Sequence, residues 1–398
     1  MTTPRAPSRR DFVAVSAVGL FGLARGSASP EWGDESQLDG DLLYVGTYTK
    51  GDRPDGIYLI RMDRRSGKLR QVGSVNAGAN PSFLAIHPNG RTLYAVNEVE
   101  KRNGRSTGGV SAFSIASNTG ALTRLNEQPS EGSAPCFVSV DRRGRVVLVA
   151  NYFGGNVALL PIQTDGSLAP AAHVVQHKGS GPTAAGQDVP HAHCILADPS
   201  NRFVLAADLG VNRVFVYRLD LDGKSLRHVE GGAAVMRPGA GPRHIALHPT
   251  LPLAFVVNEL DSTVTTLAFD AERGVLSPLE TRSTLPDGWT GANYPADIHL
   301  ASSGRTLYVS NRGHNSLAVF SVAESSGALA LEQVVSTAGD WPRNFTLDPT
   351  GRWLLVANQR SDSVVVFRRD QESGRLTPTR QRIALPSPVC LRFRAHAG

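Results

Sequence analysis

Four short stretches place chemically capable side chains in a chain that is otherwise apolar and rich in turns. They are Pro190-His-Ala-His193, Gly241-Pro-Arg-His-Ile-Ala-Leu-His-Pro249, Val257-Asn-Glu-Leu260 and Ser310-Asn-Arg-Gly-His314. His193, Arg243, Glu259 and Arg312 are the candidate catalytic residues among them. A neutral imidazole can take a proton from water near neutral pH. A guanidinium can stabilise the charge that develops on a carbonyl oxygen under attack. A second guanidinium can hold a carboxylate or phosphate through its planar fork. His193 is then the candidate base, Glu259 orients it or is an alternative base, and Arg243 or Arg312 faces the oxyanion. His191, Glu98, Tyr152, Arg343 and His314 are the candidate substrate contacts.

These residues lie far apart in the chain, so the fold must gather them. One phrase recurs: Pro, an apolar run, a turn, a second apolar run, then Asn. Copies span Pro81–Asn97, Pro135–Asn151, Pro242–Asn258, Pro295–Asn311 and Pro342–Asn358, each with its Pro and Asn 16 residues apart. A variant copy has Ala192 at the Pro position and ends at Asp208. The anchors Asn97, Asn151, Asp208, Asn258, Asn311 and Asn358 are separated by 54, 57, 50, 53 and 47 residues. Each unit continues with two more strand-like runs around a polar turn, as in Val110–Ile115, Ser117-Asn-Thr-Gly120 and Leu122–Asn126. Four strands in a unit of about 50 residues is the pattern of a propeller blade. Short apolar runs bounded by Gly and Pro exclude a helical solenoid. Six units are complete. Leu42–Thr47 supplies the second strand of a seventh and Pro388–Phe393 its first, which hides a sheet edge. The expectation is an all-β, seven-bladed β-propeller with four antiparallel strands per blade over residues 41–398, one blade closed by strands from both termini.

In a four-stranded meander, the entry of the first strand and the exit of the second share one end. Two sequence columns therefore ring one mouth of the central channel. The column after the repeat Pro reads Ser82, Cys136, His193, Arg243, Ala296, Arg343, Val389. The column after the anchor reads Tyr48, Glu98, Tyr152, Leu209, Glu259, Arg312, Gln359. Hydrophobic strands that end in a converging charged ring have the form of a substrate pocket. The anchor Asn side chains are read as turn stabilisers. His87 and His248 fall at the opposite end and are read as structural, and Asp297 and His299 as supports behind the ring. Competing structural roles are an Arg243–Glu259 ion bridge within one blade, a turn cap for His193, and solvated loop positions for Arg312 and His314.

The four stretches quoted above resemble signature segments of the propeller lactonases, a family that includes 6-phosphogluconolactonases and the related carboxymuconate-cyclizing enzymes. The resemblance extends over essentially the whole mature chain. It implies that the family's active-site His, Arg, Glu and second Arg fall on His193, Arg243, Glu259 and Arg312, which the blade columns select independently. It also implies hydrolysis of a sugar-acid lactone. Two other functions use the same scaffold. One is a muconate-lactone cycloisomerase working through the same ring. The other is a non-catalytic extracytoplasmic binding propeller of the Tyr-Val-Thr-Asn repeat type, which Leu307-Tyr-Val-Ser-Asn311 and Leu354-Leu-Val-Ala-Asn358 resemble. Converging His, Arg and Glu favour an enzyme.

The chain has 398 residues and a formal charge of +6. Half of that charge sits in residues 1–28, where Arg5, Arg9, Arg10 and Arg25 oppose Asp11. The remainder has no basic block and no aromatic–basic interleaving, so a nucleic-acid partner gains no support. Ser8-Arg-Arg-Asp-Phe12, the apolar run Val13–Leu23 and Gly26-Ser-Ala28 read as a twin-arginine export signal over residues 1–28, cleaved after Ala28. A polar linker, 29–40, follows. The apolar run is too short to span a bilayer stably. The expected product is a periplasmic or extracellular monomer acting on a small-molecule lactone, with no membrane span in the mature protein. Export sits at odds with a phosphorylated sugar of cytosolic metabolism, so either the substrate is a different lactone or the family name is only a label. Cys136, Cys194 and Cys390 form no CxxC pair; an oxidising compartment leaves room for a single disulfide, and buried free thiols are the expectation. Cys136 lies in the ring, but nothing in the sequence lowers its pKa, and an inert thiol is expected. Glu98 and Glu259 could offer oxygens to calcium, but the ring arginines oppose a cation there. No metal and no cofactor are expected.

Overall fold

The structure is a computed structural model that describes residues 40–49, 55–183 and 186–394. The expected export signal and the linker up to residue 39 lie outside the described residues. Strands pair into seven sheets, which we number as blades I to VII in chain order. Blade I joins Asp41–Thr47, Ile57–Met62 and Leu69–Val75 to the C-terminal strand Pro388–Phe393. Blades II to VII follow over 84–129, 135–176, 192–235, 242–283, 294–336 and 342–384. The fold is all-β and seven-bladed, as the repeat predicts. Blade IV adds a short fifth strand, Ala234–Val235, against Arg213–Asp220.

Burial explains the strand sequences. The second strand of each blade is sandwiched between neighbouring blades, so it is apolar on both faces; Val146–Asn151 and Trp353–Asn358 are buried throughout. Outer strands face water and become polar, as in Leu376–Ala384, where most positions are exposed. Neighbouring blades are also tied by a repeated tyrosine. Tyr44 in blade I donates to Gly120 O at 2.7 Å in blade II, and Tyr308 in blade VI donates to Gly374 O at 2.7 Å in blade VII. The accepting turn requires glycine: Gly120 has φ +78°, and a Cβ there would lie 2.0 Å from Leu42 Cδ2. Closure between the last blade and the first uses Trp353 Nε1, which donates to Arg64 O at 3.0 Å.

The repeat Pro and its anchor are cross-strand partners. Pro135 faces Asn151, Pro242 faces Asn258, Pro342 faces Asn358, and Ala192 faces Asp208 in the variant copy. In each of these four pairs the register slips immediately after the Pro position, so the next residue has no partner in the ladder. Such bulges re-aim side chains. They fall on Cys136, Arg243, Arg343 and His193, which are members of the mouth column. The anchors themselves are structural. Asn97 Nδ2 donates to Ala77 O at 2.7 Å, Asn311 Nδ2 to Thr284 O at 2.8 Å, and Asp208 Oδ1 accepts the backbone amides of His191, Gly210 and Val211. At the other end, His87 Nε2 bonds Gly144 O and His248 Nδ1 accepts two turn amides, in keeping with structural roles.

Candidate active site

Arg243 is 1% exposed, so its charge must be met inside the protein. Its Nε lies 2.8 Å from Glu259 Oε2, and Arg312 Nη2 from blade VI reaches the same oxygen at 2.8 Å. Glu259 is placed by its backbone amide, which donates to Gly241 O at 2.8 Å beside the Pro242–Asn258 pair. One carboxylate therefore offsets the repulsion between two guanidinium groups and fixes both. Arg312 Nε also donates to Tyr294 O at 2.9 Å, and its guanidinium stands 5.4 Å from the Trp341 ring centroid. Arg312 is thus buried and not a solvated loop residue. Arg243 Nη1 donates to Ala296 O and, at 3.2 Å, to His244 Nε2. Among the described residues no hydrogen bond or ion pair is made by Arg243 Nη2.

His244 is a member of this network that sequence reasoning passed over. Its Nδ1 lies 2.8 Å from Asp297 Oδ1. The other carboxylate oxygen meets His299 Nε2 at 3.0 Å and accepts from Asn344 Nδ2. Burial, followed by the Arg243 charge, holds the His244 pKa down to about 3 despite the carboxylate. The imidazole is therefore neutral at working pH. Asp297 fixes its proton on Nδ1, and the Nε2 lone pair is then free to accept from Arg243. Burial would raise the Asp297 pKa, but His299 and His244 outweigh it and keep the carboxyl well below the usual carboxylate range. The sequence placed Asp297 and His299 behind the ring, and they do stand there. The signal for His244 was its column, which reads Phe83, Phe137, Cys194, His244, Asp297, Asn344, Cys390 and so sets three polar side chains in consecutive blades.

Blade IV adjoins blade V and brings His193 next to this network. His193 is 1% exposed, with its ring 5.3 Å from that of His244 and 5.3 Å from that of Tyr152, both edge-on. Cys136 Sγ lies 3.6 Å from His193 Nδ1. His191 stacks on Tyr152 at 4.5 Å and its Nδ1 meets Tyr152 O at 3.0 Å. The predicted set therefore forms two joined groups: Arg243, Glu259 and Arg312, and His193, Tyr152 and His191. A third group lies across blades VII, I and II. Glu98 Oε2 accepts from Ser82 Oγ at 2.5 Å and Tyr48 OH at 2.8 Å, and the Arg343 guanidinium stands 5.4 Å from the Tyr48 ring centroid. His314 is not drawn into these groups by any described contact. It is held in its turn by Ser316 Oγ at 2.7 Å and Trp289, and burial lowers its pKa.

Phe83, Phe137 and His244 come from blades II, III and V, yet their ring centroids lie 4.3–5.7 Å apart. The three rings thus pack together although their blades are not all neighbours. At the opposite mouth a cleft of ≈ 510 Å³ is lined by Ile86, Val140, Leu196 and Leu247, with Asp141 and Arg142. Its one carboxylate, Asp141, is occupied by the backbone amides of Arg143, Arg145 and Val146 and by Asn201. The three cysteines are buried free thiols. Among the described residues, no group of three or more His, Cys, Asp or Glu is placed to hold a metal ion.

The site is thus two arginines on one carboxylate, beside a buried histidine, at one mouth of a seven-bladed propeller. The family described as "Lactonase, 7-bladed beta-propeller" matches residues 42–393, and the chain belongs to it. It is 41% identical over 350 residues to a 6-phosphogluconolactonase of Bacillus subtilis, covering 88% of this chain and 97% of that one. A 6-phosphogluconolactonase of Formosa agariphila is 32% identical, covering 73% of this chain and 81% of the relative. Among solved structures, a periplasmic gluconolactonase of Pseudomonas aeruginosa superposes with a TM-score of 0.84 at 35% identity, covering 89% of this chain and 99% of that one. The protein is a lactonase of the 6-phosphogluconolactonase-like group.

Proposed function

We propose that the protein hydrolyses the ring ester of a sugar-acid lactone at the charged mouth. His193 takes a proton from water as the water oxygen attacks the lactone carbonyl carbon. The carbonyl oxygen becomes an oxyanion, which Arg243 Nη2 and the Arg312 guanidinium stabilise. The intermediate collapses with cleavage of the ring C–O bond, and the leaving alkoxide takes the proton from the His193 imidazolium to give the open hydroxy acid. Glu259 holds the two guanidinium groups in this scheme, which the paired 2.8 Å contacts favour over a role as base. That shared carboxylate is the observation that carries the reading. It presents two cations to one point without spending either on solvent. The expected result is acid release, followed in a pH-stat, when the purified mature protein meets a panel of phosphorylated and unphosphorylated sugar lactones. Absence of turnover with every lactone would overturn the reading.

Residues 1–28 are proposed to export the protein. In support, the Pseudomonas relative is described as periplasmic. Cell fractionation of the full chain is expected to find the product outside the cytoplasm, and a cytoplasmic product unaffected by substituting Arg9 and Arg10 with lysine would refute export by this route.

A further inference from the structure

The blades are copies of one frame, so a blade that departs from the frame shows what the departure achieves. In blades I, II, III, V and VII the residue before the repeat Pro is left-handed: Ser387, Asn80, Ala134, Gly241 and Trp341 have φ between +41° and +67°. Each turns its backbone amide to the preceding blade. Ala134 N donates to Val99 O at 3.0 Å, Gly241 N to Asn212 Oδ1 at 2.9 Å, and Trp341 N to Asn315 Oδ1 at 2.9 Å. Blades IV and VI depart. In blade VI the equivalent residue, Tyr294, pairs with Arg312 in the ladder. In blade IV the equivalent residue is His191, which is not left-handed, and its amide stays in its own blade, donating to Asp208 Oδ1 at 2.8 Å. What reaches the preceding blade is the imidazole. Its Nδ1 lies 3.0 Å from Tyr152 O and its ring stacks on Tyr152, whose own ring meets that of His193 at 5.3 Å.

The anchor carries the difference. Asn97, Asn151, Asn311 and Asn358 donate from Nδ2 to carbonyls of the connector that leads into their blade. In Asn151, Asn258 and Asn358 the buried Oδ1 has no hydrogen-bond partner among the described residues. A carboxylate cannot donate, so blade IV reverses the polarity. Its connector supplies a donor, His177, whose Nδ1 lies 2.6 Å from Asp208 Oδ2, and Tyr217 OH lies 2.9 Å from His177 Nε2. All three side chains are buried. Asp208 Oδ1 then collects the amides of His191, Gly210 and Val211 through charge-assisted bonds.

We propose that Asp208, backed by His177 and Tyr217, is a positioning residue for the reaction. It draws the His191 amide inward, so that the imidazole, not the amide, packs on blade III, and the His191–Tyr152 stack holds the edge of His193. The inference rests on the lactonase reading and adds to it a buried chain of residues that touch no reacting atom.

The test uses the full mature protein as wild type, Asp208→Ala, Asp208→Asn and Asn358→Ala, the last removing a purely structural anchor in another blade. Asp208→Ser is the milder second variant should the alanine variant not fold. For Asp208→Ala, kcat per folded molecule is expected to fall about 10–100-fold with KM nearly unchanged, the scale of a small misplacement of a catalytic group. Asp208→Asn should recover most of that loss. Its oxygen still accepts the three amides, and His177 can take the other tautomer to accept from Nδ2 and donate to Tyr217. Asn358→Ala should lose stability but keep kcat. A second readout needs no turnover. In proton NMR the His191 ring signals, identified by their absence from His191→Gln, should lie upfield through stacking on Tyr152. That shift should vanish in Asp208→Ala and persist in Asp208→Asn and Asn358→Ala. Wild-type kcat in Asp208→Ala, an asparagine variant no better than the alanine one, or an equal kcat loss in Asn358→Ala would overturn the positioning role. Failure of the wild type with every lactone, while the ring shift behaves as expected, would overturn the lactonase reading and leave the placement of His191 standing.

Discussion

Acidification below about pH 6.5 is expected to destabilise the fold with a slope approaching 1.4 kcal/mol per pH unit from His244 alone. In the folded protein this imidazole stays neutral down to about pH 3, because burial and then the Arg243 charge oppose protonation. In the unfolded chain it titrates at the ordinary value of about 6.5. Between those values the unfolded state binds the extra proton, so stability is full above pH 6.5 and drains away as pH falls. Asp297 acts in the same direction at lower pH. Its folded pKa is depressed, so its contribution is present above the unfolded value of about 3.9 and is lost as pH falls through the folded one. Thermal midpoints from pH 8 to pH 4 should fall steeply for the wild type and less steeply for His244→Gln; parallel curves would refute the assignment. Asp297→Asn should cost about 3 kcal/mol at neutral pH, where a buried network loses its charge. The reason is geometric. Asn344 Oδ1 is fixed by the Leu391 amide at 2.7 Å, so Asn344 Nδ2 must point at position 297. A carboxamide there meets that donor with its own donor, or turns and abandons His244.

The same network shows where sequence reading succeeds and where it stops. The blade frame was legible because a Pro and an Asn facing each other across two strands impose a fixed spacing, and chance rarely repeats that five times. The mouth was legible because equivalent blade positions are also equivalent in space: Arg243, Arg312 and Glu259 share one carboxylate oxygen although 69 residues separate the outer two. His244 was not, because simple strand alternation turns neighbours to opposite faces. The bulge at Arg243 breaks that alternation and lets consecutive residues both serve the axis. Bulges leave no mark in the repeat spacing. Pairing preferences were equally hidden. The sequence offered Glu259 to His193 or to Arg243, and only coordinates show one oxygen taken by two arginines. His314 shows the other side of the same limit: its neighbour Arg312 reaches Glu259, but the turn carries His314 to Ser316 and Trp289.

Replacing Arg243 by alanine should lower kcat/KM for a lactone by about 10²–10³, the usual loss when one donor to a developing oxyanion is removed. The loss should appear in kcat, since the charge it meets exists only in the transition state. Arg243→Lys should recover little. An ammonium has no fork with which to bond Glu259, His244 Nε2 and Ala296 O while still offering a donor to substrate. Glu259→Gln should lower kcat/KM by a comparable factor without removing any group that contacts the reacting atoms, because both arginines lose their common anchor and repel each other. Combining Arg243→Ala with Glu259→Gln then separates this scheme from one in which Glu259 is the base. If Glu259 acts through the arginines, most of its effect is already spent once Arg243 is gone, and the double variant is little worse than Arg243→Ala. If Glu259 deprotonates water, the two losses multiply to about 10⁴–10⁶, and the acid limb of the pH–rate profile disappears with Glu259→Gln while surviving His193→Ala. Single-variant and double-variant kcat/KM values measured across pH 5–9, with unfolding midpoints to confirm folded protein, decide between the two.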